Sequence, residues 1–198
     1  MDHLKVETDF QVDIKNHTME ILKDDGVFRH IVLSNNGDFN HKFEITTWPN
    51  YLCFTGDMGC FIFNRTHDMF NFFSGQDINP SYWSEKLEAG KYNAYCPQTF
   101  QDNIKSEYDT WVNDNELDPA HEACLDLWEE IENEVIMWST EHEIRAYDAA
   151  SSFEMDCGDL GTFTFPDFWE HDNNEFTYHY LWSLHAIRWC FKEYQEKE

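Results

Sequence analysis

The stretch Trp48-Pro-Asn-Tyr-Leu-Cys-Phe-Thr-Gly-Asp-Met-Gly-Cys-Phe-Ile-Phe63 sets a carboxylate, Asp57, between two glycines and two apolar runs. An aspartate at a strand end acts as a base or metal ligand when a nucleophile, a lysine or a metal-spaced histidine stands beside it. None does within a few residues. Gly-Asp-Met-Gly instead has hairpin chemistry, because Asp bonds its own backbone and Gly supplies positive φ. A turn is the first expectation. His121-Glu-Ala-Cys124 and Glu141-His-Glu143 are fragments of metal motifs, and neither completes H-E-x-x-H. No P-loop, G-x-S-x-G or G-x-G-x-x-G occurs. No catalytic residue, cofactor or metal is expected.

Charge carries more information. The chain has 39 acidic and 13 basic residues, a net of -26. Residues 1–95 contribute -6 and residues 96–198 contribute -20. Glu122, Asp126, Glu130 and Glu134 repeat every four residues, a like-charge row that weakens an isolated helix. Solubility does not require it, since a net charge of about 2–8 suffices for a small domain. The row, with Glu129 and Glu141 beside it, reads as a partner-binding surface. Lys and Arg are what nucleic acid and anionic membranes recruit, so direct binding to either is not expected. The matching partner is basic: a cationic protein or ribonucleoprotein groove.

These side chains need elements to hold them. The 198 residues suit one domain, expected as 1–198 with a sheet-rich part (1–65) and a helical part (66–198). Aromatics form 17% of the chain, enough for a large core and against disorder. Segments 27–33, 41–47, 51–55 and 60–64 alternate and are separated by turn signals. They predict an antiparallel β-meander of about four strands. Residues 6–14 alternate like a further strand, while Met19, Ile21 and Leu22 fit a short helix.

Beyond Arg65 the period becomes helical. Thr66 caps one short helix and Asn79-Pro80 opens another, through Trp83 and Leu87. Longer helices are expected over 97–113 and 119–150. Asp172-Asn-Asn-Glu175 reads as the capping box of a last helix bearing Tyr180, Leu184, Ile187, Phe191 and Tyr194. The fold class is α+β: an N-terminal meander packed with an acidic, aromatic-rich helical layer. The aromatics at helical spacing read as core, with Trp111, Trp169 and Trp189 partly outward. Six cysteines without a C-x-x-C pair read as reduced thiols. The opening residues lack the build of a signal peptide, and no apolar run reaches ~18 residues.

Thr47-Trp-Pro-x-x-Leu52, Gly56-Asp-Met-Gly59, Phe63-x-Arg65, Asp68-Met-Phe-x-Phe-Phe73 and Ile78-Asn-Pro-x-Tyr-Trp83-x-Glu-Lys86 resemble a group of uncharacterised phage and prophage proteins. The resemblance thins through the acidic region and returns around Phe168-Trp-Glu170 and the final helix. Asn50 stands where that group has Gly, and Cys60 where it has Thr or Ser. The resemblance implies an accessory phage protein acting in the bacterial cytoplasm and brings no reaction with it. It also suggests that Asp57, Arg65, Asp68 and Lys86 form a polar site at one end of the sheet.

The expected function is therefore an acidic phage inhibitor of a host defence complex, by anti-CRISPR or anti-restriction nucleic-acid mimicry. The alternatives are a small phage enzyme around Asp57, Arg65 and Asp68, and a phage structural or assembly protein.

Overall fold

The computed structural model describes residues 3–74 and 77–197. Contacts gather the chain into two compact units, Met1–Ala94 with Phe176–Glu198, and Tyr95–Glu175. The sequence reading treats 1–198 as one body; here the acidic segment has a core of its own, inserted into the chain of the sheet unit. The class is α+β.

In the first unit, six strands form one antiparallel meander in sequence order: β1 (Thr18–Asp25), β2 (Phe28–Ser34), β3 (Phe43–Trp48), β4 (Tyr51–Gly56), β5 (Gly59–Asn64) and β6 (Leu87–Ala89). One face is buried through Ile31, Leu33, Phe43, Ile45, Leu52, Phe54, Phe61 and Phe63, every second residue of each strand. Against it pack α1 (His3–Asp13), α2 (Met69–Ser74) and α7 (Tyr178–Gln195). Trp182 of α7 meets Phe10, Phe43 and Phe54 edge-on at ring distances of 5.1, 5.6 and 6.5 Å. Such pairs contribute beyond their buried area.

The first 25 residues reverse the expectation. Val6, Phe10 and Ile14 are buried at a spacing of four, so residues 3–13 are helix, and the alternate Val12 is exposed. Residues 18–25 are an edge strand, held by its ladder to β2 and studded with Glu20, Lys23, Asp24 and Asp25. Such a strand buries no face, so its pattern carries no strand period.

Three local signals resolve differently. Asp68, not Thr66, accepts the Phe70 amide at the start of α2. Asn79 does cap α3 (Pro80–Ser84), but Leu87 leaves the helix and pairs with Phe63 in β6. Asp172 accepts the Asn174 amide as a turn, residues 174–176 form β10, and Thr177 caps α7 through the Tyr180 amide. Ser74-Gly75, whose glycine is the sequence signal for the end of the helix after Thr66, lies partly outside the described residues. β7 (Asn93–Tyr95) pairs with β10 (Asn174–Phe176) in a ladder of its own.

The second unit contains α4 (Pro97–Asp114), α5 (Glu122–Glu134), α6 (Glu143–Ser152) and a hairpin of β8 (Glu154–Asp156) with β9 (Thr162–Thr164). Its core joins Phe100, Ile104, Tyr108, Cys124, Leu127, Ile131, Ala146, Phe153, Phe163 and Phe168. The helix expected over 119–150 is broken. It starts at Glu122, where His121 Nδ1 accepts the Ala123 amide. It stops at Val135, passes through a 3-10 turn (Ile136–Trp138) and restarts after the extended His142. Ser139, buried in that turn, accepts a bond from Gln101 of α4 at 2.7 Å. Bending there lets Ala146 and Ala150 return to the core in which Val135 is already buried.

Candidate functional site

Gly56-Asp-Met-Gly59 is the two-residue turn between β4 and β5, with Gly56 paired to Gly59. A Cβ on Gly56 would lie 2.2 Å from the Lys42 carbonyl oxygen, so only glycine fits. Asp57 Oδ2 accepts the His41 amide at 3.0 Å, and the Asp57 amide donates to Lys42 O at 3.0 Å. The carboxylate ties the turn to the loop before β3. Asn50 has φ of 74° in the neighbouring Pro-Asn turn, a left-handed conformation that Asn tolerates better than most residues.

The four-residue polar site does not assemble. Asp57 lies before β5 and Arg65 after it, six residues or ~20 Å of strand apart. Asp68 is engaged by Arg29 instead: Nη1 and Nη2 donate to its two oxygens, each at 3.0 Å. The Arg29 guanidinium also lies 4.4 Å from the Phe70 ring centre. Burial opposes its charge, but the bonds to Asp68 and Tyr194 prevail and raise its pKa. Tyr194 in turn donates to Asp24 at 2.7 Å. Arg65 is exposed, and Lys86 pairs with Glu85 over the Tyr82 ring. This is structural wiring of the sheet end. Arg29 was missed because 39 residues separate it from Asp68 and no local signal joins them.

α5 does carry the acidic row. Cys124, Leu127 and Ile131 face the core, while Glu122, Asp126, Glu129, Glu130 and Glu134 share the outward side, with Glu132 at its flank. Row members four residues apart stand ~6 Å apart along the axis. Six carboxylates on 13 residues amount to about one charge per 3 Å. A single DNA strand has one per ~3.4 Å and a duplex one per ~1.7 Å. The helix alone matches one strand, not two. Glu141 lies outside it, exposed in the turn before α6, where its amide bonds Trp138 O at 3.1 Å.

Crowding is visible in the acids themselves. A hydrogen bond shared with Glu134, then that residue's charge, raises the Glu130 carboxyl above its usual value. The last turn of α5 holds no cation to offset the negative helix end. Across residues 95–175 there are 22 acidic residues and two basic ones, and none of the acids is buried. The two cations are held locally: Lys105 pairs with Asp109 and lies 5.1 Å from the Trp128 ring centre, and Arg145 lies 5.3 Å from that of Trp138.

A cavity adjoins each end of α5. Near its start, His121, Glu122, Asp126, Asp156 and Cys157 line a cavity of about 330 Å³. Near its end lies one of about 550 Å³ that includes Glu134, Met137 and Trp138. The expected outward tryptophans divide: Trp169 is exposed, whereas Trp111 and Trp189 are half-buried against the cores. Among the described residues no group of three or more His, Cys, Asp or Glu is placed to hold a metal ion. No helix among them is long and apolar enough to cross a membrane. All six cysteines are free thiols. No protein-family model, curated protein or solved structure matches the chain.

Proposed function

We propose that this protein is a phage-encoded inhibitor whose acidic unit occupies the basic nucleic-acid-binding site of a bacterial defence complex, a CRISPR effector or a restriction enzyme, in the host cytoplasm. The carrying observation is α5: six carboxylates on its 13 residues, a row of them turned outward, and no cation on the helix. A surface of this kind lowers helix stability and is not needed for solubility, so its use lies outside the fold. Opposite potentials steer encounter and make association fast and salt-sensitive. The phage setting comes from the motif resemblance and stands or falls separately from the charge argument.

The test is capture on the tagged protein from a CRISPR- and restriction-proficient lysate, eluted with rising salt and identified by mass spectrometry. Wild type is expected to retain one basic nucleic-acid-binding protein, released at moderate salt. The Asp126→Lys/Glu134→Lys variant, which neutralises the row, is expected to lose it. Equal retention by the variant, with its helix content unchanged, refutes the reading.

A further inference from the structure

The end of α5, the 3-10 turn and α6 enclose a groove of about 550 Å³. Met137, Trp138, Ala149 and Phe153 give it an apolar lining, and Glu134 and Asp148 give it two carboxylates. Met137 is 50% exposed, so the apolar part opens to solvent. Glu134 is also the last member of the α5 row, which makes row and groove continuous. Arg145 is in the groove too, its guanidinium 5.3 Å from the Trp138 ring centre.

This combination is selective. An aromatic face attracts a cation through its quadrupole, and a guanidinium stacks there better than a strongly hydrated ammonium. Carboxylates in the same groove add planar, two-pronged pairing that lysine cannot match. Arg145 shows what the ring accepts. It is exposed, and it is one of two cations among 22 acidic residues in this unit. An incoming arginine meets both a ring that already holds its chemical equivalent and a surrounding surface of opposite charge.

We propose that the groove seats an arginine side chain of the basic partner, its guanidinium on Trp138 in the place Arg145 now holds and paired with Glu134 and Asp148. The inference rests on the reading of α5 as a docking surface for a basic protein, and it names the anchor at one end of that surface. Charge along the row brings the partner in, and the groove chooses arginine over lysine.

Fluorescein-labelled octa-arginine and octa-lysine, titrated against the full chain and followed by anisotropy, test this. Octa-arginine is expected to bind about fivefold more tightly than octa-lysine, the scale of a cation–π contact. Trp138→Leu is expected to bring octa-arginine down to the octa-lysine level without moving octa-lysine. Arg145→Ala removes the resident competitor and is expected to tighten octa-arginine more than octa-lysine, a gain that misfolding cannot produce. An unchanged arginine-to-lysine ratio in both variants overturns the groove. If both peptides still bind and Asp126→Lys/Glu134→Lys releases both, the acidic docking surface survives that result. If neither peptide binds wild type, both inferences fall.

Discussion

The two units use charge in opposite ways. The sheet unit has 17 acidic and 11 basic residues, and its cations are worked into the fold: Arg29 on Asp68, Lys42 on Glu44 at 3.0 Å, Lys86 on Glu85 at 3.0 Å. The inserted unit has 22 and two, and most of its carboxylates face water. Both have full aromatic cores. The difference shows that acidity here is no general property of the chain. It is concentrated in the unit whose surface the fold does not use, and that is where a partner should be sought.

The largest expected effect breaks the comparison from the sheet side. Asp68→Asn takes from Arg29, whose side chain is 12% exposed, its two-pronged carboxylate partner and leaves only Asp24, 3.9 Å from Nε. Removing one partner of a largely buried pair is strongly destabilising, and partial exposure reduces the cost, here to about 2–3 kcal/mol. Denaturant unfolding should show that loss while octa-arginine binding stays as in wild type. Unchanged stability would mean that the sheet unit's charges are as idle in its fold as those of α5.

The next effect sharpens it through pH. Burial holds His17 and His185 below 6.5 in the folded sheet unit. The unfolded chain therefore protonates first, and stability is lost as pH falls from 6.5 through the lowered folded values. Glu44, held below 4.5 by bonds from His30 and then Lys42, extends the loss to lower pH. Glu130 has the reverse sign. Raised above 4.5 by Glu134, it takes up its proton in the folded state first, so α5 gains stability as pH falls towards 4.5. Hydrogen exchange between pH 7 and 4.5, corrected for intrinsic rates, should deprotect the sheet unit while α5 becomes better protected. Both regions moving together would remove the contrast.

How much of this was legible follows the same division. Strands β2 to β5 were readable because each buries one face and is bounded by Gly, Asn or Pro turn chemistry. Helices α4 and α7 were readable because their buried residues keep helical spacing over 18 residues. β1 was not, since an edge strand is defined by its partner. The α5 row was plain in the sequence, because an i, i+4 repeat needs no tertiary contact. The groove beside it was hidden: Trp138, Arg145 and Phe153 meet only because the chain breaks at Val135 and turns through Ser139. Asp57 and Asp68 were drawn together by motif density, which says nothing about which end of a strand a residue occupies.

The smallest effect concerns the helix that carries the argument. Asp126→Lys/Glu134→Lys converts the row to Glu122, Lys, Glu130, Lys, so three repulsive i, i+4 contacts become attractive. The second substitution also sets a cation at the negative end of α5, which has none. Wild-type α5 thus stands below the stability that two substitutions reach. The inserted unit should melt a few degrees higher, and the gain should shrink in 1 M salt, where the Debye length falls to ~3 Å. A variant that is more stable yet no longer captured by a basic partner separates what the row does for the fold from what it does for binding. A variant that melts lower would mean that the carboxylates of α5 hold the unit together, and the contrast between the two units would fail.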